Sequence, residues 1–398
     1  MNRQDRIALV AEQLPFGGTT TFCAFLASEM RRSGAPAKIF SFGHDSPLQD
    51  EFDALDVPVY HASDAADIYE DRLRRVYGEL AAFRPTAVYA ILAQSAFETL
   101  RYLPDNVLRV GMLHDPLEYT YQLAECYQDS CDWFFTGNST VCETMKFRFP
   151  SARTERIIYG IPMPEDRPIR RQRDEDPIRL LYFGRLEEPH KQPRIFPLIW
   201  RELKRRRIDF RWTIHGRGPE EDYLRREMSE GVTSGEIVFS DSVPREQLRQ
   251  LVAEHDVFLL TSVFEGGPQT LIEAMSQGLV PVCGDIPCLV SDVVTPDTGR
   301  RVPVREASAY VDAIQELASD RTELNRLSKN SRESVESVFS TPAMARRHLE
   351  FLKKAQPEIR PATWPETIHP LPIKGANRLK FSPLLRPLRR LLKRAQGN

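Results

Sequence analysis

The chain lacks cysteine pairs at metal-binding or redox spacing. Its six cysteines, Cys23, Cys126, Cys131, Cys142, Cys283 and Cys288, are scattered through apolar segments. None forms a C-x-x-C, and no His/Cys cluster has zinc spacing. That argues against a zinc module and for reduced, buried thiols in a cytoplasmic protein. Long apolar runs are missing too. The first fifteen residues hold only the five-residue run Ile7–Ala11, too short for a signal-peptide core or a membrane span, and no later stretch reaches spanning length. Net charge is nearly absent: 54 Lys and Arg stand against 56 Asp and Glu, a formal charge of -2, so the whole molecule gives no argument for nucleic acid. The sequence offers no Ser-His-Asp set, no paired acid and base, and no internal repeat. What remains is ordinary for a globular protein, with 41% hydrophobic and 28% charged residues. A length of 398 residues is enough for two domains.

Strands alternate with helices along most of the chain. In the first half Arg6–Ala11, Lys38–Phe42, Thr86–Leu92, Val107–His114, Asp132–Thr136 and Arg156–Tyr159 read as strands. Between them Phe22–Ser33, Tyr69–Phe83, Ser95–Leu103 and Thr140–Phe147 read as helices, with Gly34 as a stop and Asn138-Ser139 as a cap. Pro162–Pro177 changes character, with four prolines and the charged run RPIRRQRDED, and reads as a linker. Alternation restarts with strands at Ile178–Gly184, Phe210–His215, Glu236–Ser240, Asp256–Leu260 and Val280–Gly284. The helices of this half are Phe196–Arg207, Glu220–Glu230, Glu246–Ala253, Ala307–Ala318 and Arg321–Val338. The pattern predicts α/β architecture with two doubly wound parallel sheets. The first domain spans 1–165 and the second 178–340. Residues 341–355 supply a further helix, and 356–398 form a Pro-rich, then basic, tail.

That tail has seven prolines in Pro357–Pro387, and Lys374–Asn398 carries eight Lys and Arg with no acid. Leu384, Leu385, Leu388, Leu391 and Leu392 follow helical spacing. Two readings stand: contact with anionic membrane at its inner face, or a disordered, solvated end or one packed on a neighbouring protein.

In parallel sheets ligands bind at the carboxyl ends of strands, and four loops there stand out. Glu12–Thr21 holds Gly17, Gly18 and Thr19 before a helix N-terminus, which suits an anion or a hydroxyl-rich substrate or is a plain turn. GMLHDP ends a strand with His114, either a cleft residue or a satisfied structural histidine, while Asp115 suits a turn. GRLEEPHK carries Gly184, Arg185 and Lys191, two cations that can neutralise a pyrophosphate. TSVFEGGPQTLIEAMSQG follows a buried strand and places Glu265 on a loop and Glu273 on a helix, where carboxylates can accept sugar hydroxyls.

SVFEGGPQTLIEAMSQGLVPV resembles the E-x7-E region of the GT-B glycosyltransferases of retaining family 4. YFGRLEEPHK resembles that family's phosphate-binding segment, IHGRGPEEDYLR its G-x-G-P-E segment, and IPCLVSDVVTPDTGRRVP the stretch after the E-x7-E helix. IALVAEQLPFGGTTTF resembles the acceptor-side glycine loop and LHDP the family's cleft histidine. The resemblance runs from about residue 5 to 350, strongest in the second half. It implies two Rossmann-like domains facing each other across a cleft. It also implies residue roles. Arg185 and Lys191, with Gly184, would bind the donor diphosphate, and Glu265 the hydroxyls of the transferred sugar. Glu273 would bind the ribose. Gly266, Gly267, Pro268, Gln269, Thr270 and Leu271, with Gly216 and Gly218, would contact sugar and nucleotide. His114 would lie near the transferred sugar, and Gly17, Gly18 and Thr19 near the acceptor. The helix Ala343–Lys353 would return to the first domain. The sequence departs from the family at Gly267, where an aromatic is frequent.

The function this implies is transfer of a sugar from a nucleotide-diphosphate sugar to a hydroxyl acceptor, a glycan, a lipid-linked molecule or a small one, with retention and with no metal or cofactor. Domain closure about the linker would exclude water. The alternatives are a nucleotide-sugar epimerase of the same architecture and a non-catalytic nucleotide-sugar-binding protein. The E-x7-E frame with intact cations disfavours both.

Overall fold

A computed structural model describes residues 5–15, 17–62, 68–164, 176–240, 250–359 and 361. The chain divides into two compact units, Met1–Gly160 with Thr341–Asn398, and Ile161–Ser340.

The first unit is built on seven strands: β1 (Ile7–Ala11), β2 (Ala37–Ser41), β3 (Val59–His61), β4 (Ala87–Ile91), β5 (Leu108–Leu113), β6 (Trp133–Thr136) and β7 (Thr154–Arg156). They form one parallel sheet in the order β3-β2-β1-β4-β5-β6-β7. Side chains alternate across a strand. Ile7, Leu9 and Ala11 therefore enter the core on one face, and Ala8 and Val10 the core on the other. Both faces are covered, which is why β1 is apolar at every position. The Leu9 register, opposite Ile39 on β2 and Tyr89 on β4, keeps that alternation in step across the sheet.

The helix Thr341–Leu352 packs within this unit. Met344 is buried among the residues of β1, β4 and the helix Gly18–Arg32. His348 lies against Tyr89 and Phe135, and Phe351 sits edge-on to Trp133 and Phe135. Beyond it the chain is held at the amino ends of β5 and β6. Asp132 Oδ1 accepts from the Glu358 and Ile359 amides at 2.7 and 2.9 Å, and the buried Arg109 guanidinium donates to the Ile359 carbonyl at 2.8 Å. Both readings of the basic tail fall on residues outside the described ones.

The second unit carries β8 (Ile178–Phe183), β9 (Phe210–His215), β10 (Ile237–Ser240), β11 (Val257–Leu260), β12 (Val280–Gly284) and β13 (Arg300–Val302), parallel in the order β10-β9-β8-β11-β12-β13. Ile178, Leu180 and Tyr182 face a core built with Trp200, Trp212 and Tyr310, while Phe183 packs on Phe258 on the other side. The expectation of two doubly wound parallel sheets is met.

Some elements differ from the sequence reading. Glu220–Glu230 is two helices, Glu221–Glu227 and Ser229–Thr233, because the chain bends at the buried Met228. The bend seats Gly231 where a Cβ would lie 2.7 Å from Ile237 and 2.9 Å from Trp200. The expected strand Arg156–Tyr159 is Thr154–Arg156, since its partner β6 ends at Thr136. The helices Gln49–Ala54, Glu118–Tyr127 and Leu289–Val293 and the short strands β3 and β13 were not anticipated. Most of the linker and the first half of the expected helix Glu246–Ala253 lie outside the described residues; 250–253 are helical. Among the described residues no helix is long and apolar enough to cross a membrane.

Candidate functional site

The second sheet reverses its strand order between β8 and β11. The connections leave those two strands in opposite directions, so their carboxyl-end loops part and leave a crevice, the place where open α/β sheets bind ligands. Lys191 lies on the first loop and Glu265 on the second. Their side chains meet in an ion pair, Lys191 Nζ to Glu265 Oε1 at 2.6 Å. Ser262, fully buried, donates to the same oxygen at 2.6 Å. The two loops are joined below this point by main-chain contacts. Thr261 Oγ1 donates to the Lys191 carbonyl at 2.7 Å, and the Val263 amide to the His190 carbonyl at 3.0 Å. A charge-assisted pair with a second donor on the same carboxylate oxygen restrains the carboxylate. Sequence reasoning missed Ser262, although it stands three residues before Glu265 in the segment already singled out.

Arg185 is largely exposed and pairs with Glu187 at 2.9 Å. The Tyr182 hydroxyl donates to the Arg185 carbonyl at 2.7 Å, which holds the loop main chain and leaves the guanidinium outside. Gly216 and Gly218 have a structural cause of their own. A Cβ on Gly216 would lie 1.9 Å from the Gly184 carbonyl oxygen, and one on Gly218 2.2 Å from the Leu186 oxygen. The backbone after β9 therefore packs directly on the G-R-L backbone after β8. The Gly184 amide bonds His215 O at 3.0 Å and the Leu186 amide bonds Arg217 O at 2.9 Å, continuing the ladder beyond the strands.

Gly266, Gly267 and Pro268 lead into the helix Gln269–Ser276, with Pro268 at its cap position. Gln269, Thr270 and Leu271 form its first turn. Leu271 is fully buried, and its amide donates to the Pro268 carbonyl at 3.0 Å. Glu273 is half-buried on the next turn.

The remaining predicted residues belong to the first unit. Gly17 precedes the helix Gly18–Arg32, which has no side-chain cap, and Thr19 is exposed on its first turn. His114 follows β5 and is buried, with Phe22 of that helix edge-on at 5.1 Å. Its Nδ1 lies 2.5 Å from the Tyr159 hydroxyl, and its Nε2 has no partner among the described residues. Burial lowers the His114 pKa to about 3, so the ring is neutral. Tyr159 reaches it because residue 137 is glycine: a Cβ there would lie 2.1 Å from the tyrosine ring. Asp115 is a turn residue, accepting from the Leu117 amide at 3.2 Å and from Thr120 Oγ1 at 2.6 Å. Among the described residues no group of three His, Cys, Asp or Glu side chains could hold a metal ion. The six cysteines are free thiols. Burial pushes Cys23 up to about 12, and no titration of it is expected near neutral pH.

Residues 165–334 match the family model for glycosyl transferases group 1. The chain is 32% identical over 145 residues to a GDP-mannose:cellobiosyl-diphosphopolyprenol alpha-mannosyltransferase of Xanthomonas oryzae, covering 35% of this chain and 37% of the relative. It is 28% identical over 187 residues to the amylovoran biosynthesis glycosyltransferase AmsK of Erwinia amylovora, covering 45% of each. The chain spans about half the length of the curated relatives it matches, or less. The crystal structure of Anabaena HepE in complex with UDP superposes with a TM-score of 0.70 at 17% identity, over 88% of this chain and 100% of that one. At that identity the likeness is one of fold. The two Rossmann-like parallel-sheet domains have the architecture of GT-B glycosyltransferases.

Proposed function

We propose that the protein is a hexosyltransferase of retaining family 4 that moves a sugar from a nucleotide-diphosphate sugar to a hydroxyl acceptor without a metal. One observation carries the reading: at the switch point of the second sheet, Lys191 and Ser262 both bind Glu265 Oε1 at 2.6 Å. That arrangement leaves Oε2 to accept from hydroxyls of the transferred sugar. The family match over residues 165–334 supports it.

The roles follow from the chemistry. Arg185, on the loop surface, swings from Glu187 to the donor diphosphate. Lys191 bridges the carboxylate and the phosphates. The N-terminus of the helix Gln269–Ser276 favours the same charge, and Glu273 accepts from the ribose. As the bond from the anomeric carbon to phosphate oxygen breaks, charge grows on the leaving diphosphate, where Arg185 and Lys191 stabilise it. The acceptor oxygen attacks on the same face, and its proton passes to the leaving phosphate oxygen. Neutral His114 is a hydrogen-bond donor: Tyr159 donates to Nδ1, and Nε2–H is offered to a sugar oxygen. The named Xanthomonas relative acts on a cellobiosyl-diphosphopolyprenol. By analogy the acceptor here is a saccharide carried on a lipid diphosphate.

A screen of sugar nucleotides for donor hydrolysis identifies the donor. With it, Glu265→Gln and Lys191→Ala each lower transfer by about 100-fold or more, while circular dichroism and melting show a folded protein. Near-normal turnover by both variants would sink the assignment.

A further inference from the structure

At the amino ends of the first sheet's strands lies a cavity of about 390 Å³. It opens between the last turn of the helix Gly18–Arg32 and the turn that joins the helix Gln49–Ala54 to β3. Pro36, just before β2, also lines it. The loops at the carboxyl ends of this sheet, where parallel sheets bind their ordinary ligands, are at the other end of the strands. Ser28, buried, donates to the Leu55 carbonyl at 3.1 Å and so ties the two walls together. The last carbonyls of the helix do not face an incoming anion. They accept from the Ser33, Gly34 and Ala35 amides at 2.9–3.1 Å. Arg32, at the rim, is held by Glu29 Oε1 at 2.9 Å. Arg31 is bound differently. Its Nη2 donates to Asp56 Oδ2 at 2.7 Å, and its Nε is buried with no partner among the described residues. Asp56 is a loose holder, with its side chain 90% exposed and its backbone left-handed at φ 53°.

We propose that this cavity binds a small organic carboxylate. Its two oxygens take the Nε–Nη2 edge of Arg31 in place of Asp56, and its apolar body lies against Pro36, Ala54 and Leu55. That edge of a guanidinium matches both oxygens of a carboxylate, and the pair with Asp56 uses half of it. An ion pair so open to water holds weakly, so Asp56 can be displaced. Exchange of one carboxylate for another leaves the local charge unchanged. A phosphate would bring a second negative charge while Arg32 is already held by Glu29. The volume is at the small end of the range of ligand pockets, about 300–1,000 Å³, which suits a ligand of few atoms. The proposal does not depend on the function read above.

The test is saturation-transfer NMR on the full chain with benzoate and N-acetylleucine, with inorganic phosphate as competitor. At least one carboxylate is expected to give a signal that phosphate does not displace. Arg31→Gln lowers that signal by about fivefold or more. Asp56→Asn, whose side chain tolerates a left-handed backbone, frees the guanidinium edge and tightens binding by about threefold. Ala54→Phe, on an exposed wall, fills the cavity and removes the signal. All three variants keep the melting temperature of the unsubstituted chain. Bound carboxylate slows amide exchange in residues 28–36 and 54–57. The proposal is overturned if neither carboxylate gives a signal, if phosphate displaces it, if Arg31→Gln or Ala54→Phe retains it, or if Asp56→Asn weakens it. Loss of the signal in Lys191→Ala would place the carboxylate in the second unit's crevice and overturn it as well. An intact carboxylate signal in a chain that hydrolyses no sugar nucleotide would remove the transfer reading and leave this site.

Discussion

Ser262 and Lys191 share one oxygen of Glu265, and that sharing makes Ser262 more than a filler behind the site. Its hydroxyl is fully buried, so removing it leaves the carboxylate with one fixed donor and freedom to rotate. A hydrogen bond to a charged group contributes about 1.5–3 kcal/mol, about a tenfold to hundredfold effect if it is spent on orientation. Ser262→Ala is expected to lower kcat/KM for the sugar nucleotide by about tenfold or more while leaving affinity for the free nucleoside diphosphate unchanged. Equal losses for both ligands would mean that Ser262 supports the loop rather than the carboxylate. Ser262→Thr, which keeps the hydroxyl, should recover part of the loss.

At the scale of elements, the loops after β8 and β9 act as one because Gly216 and Gly218 let two backbones touch. The atoms in the way of a Cβ on either residue are main-chain oxygens, which cannot rotate aside as a side chain can. Gly216 also has φ 140°, outside the range other residues favour. Gly216→Ala is expected to destabilise the second unit by about 2 kcal/mol or more, read as a lower urea midpoint, and to weaken donor binding because Gly184–Leu186 moves. An unchanged midpoint would show that the loops can part freely. The sequence reading had these glycines as ligand contacts, and the packing explains their identity without a ligand. Elements whose buried residues are continuous or regularly spaced were the legible ones. The strands Phe210–His215 and Val280–Gly284 and the helix Tyr69–Phe83 have the predicted bounds. Glu118–Tyr127 was missed because its buried side is Thr120, Tyr121, Leu123, Ala124 and Tyr127, a mixed surface with little helical contrast. Three-residue edge strands carry too few residues to show a period. In the site, Lys191 and Glu265 were legible as residue types in motifs. Their ion pair spans 74 positions, and only the order of strands in a sheet brings such residues together.

For the molecule as a whole, the first unit carries two buried neutral histidines, and these tie its stability to pH. Burial lowers His114 to about 3, and it lowers His348 to about 3 with help from Arg347 and His114. Both start from 6.5 in the unfolded chain. As pH falls below 6.5 the unfolded state takes up protons that the folded state refuses, so stability falls with falling pH, and the loss continues until the folded histidines protonate near 3. Each histidine contributes a slope of about 1.4 kcal/mol per pH unit across that window, and the pair about twice that. Carboxylates titrate mainly below pH 5, so the interval from 6.5 to 5 isolates the histidines. His348→Phe, which keeps a ring against Tyr89 and Phe135, is expected to lower the slope there, while His114 and the likewise lowered His61 keep their share, followed by amide hydrogen exchange in the helix Thr341–Leu352 and in β4. The variant should lose less stability between pH 7 and pH 5 than the unsubstituted chain. A slope identical to that of the unsubstituted chain would show that His348 protonates in the folded state and that the surrounding core admits water.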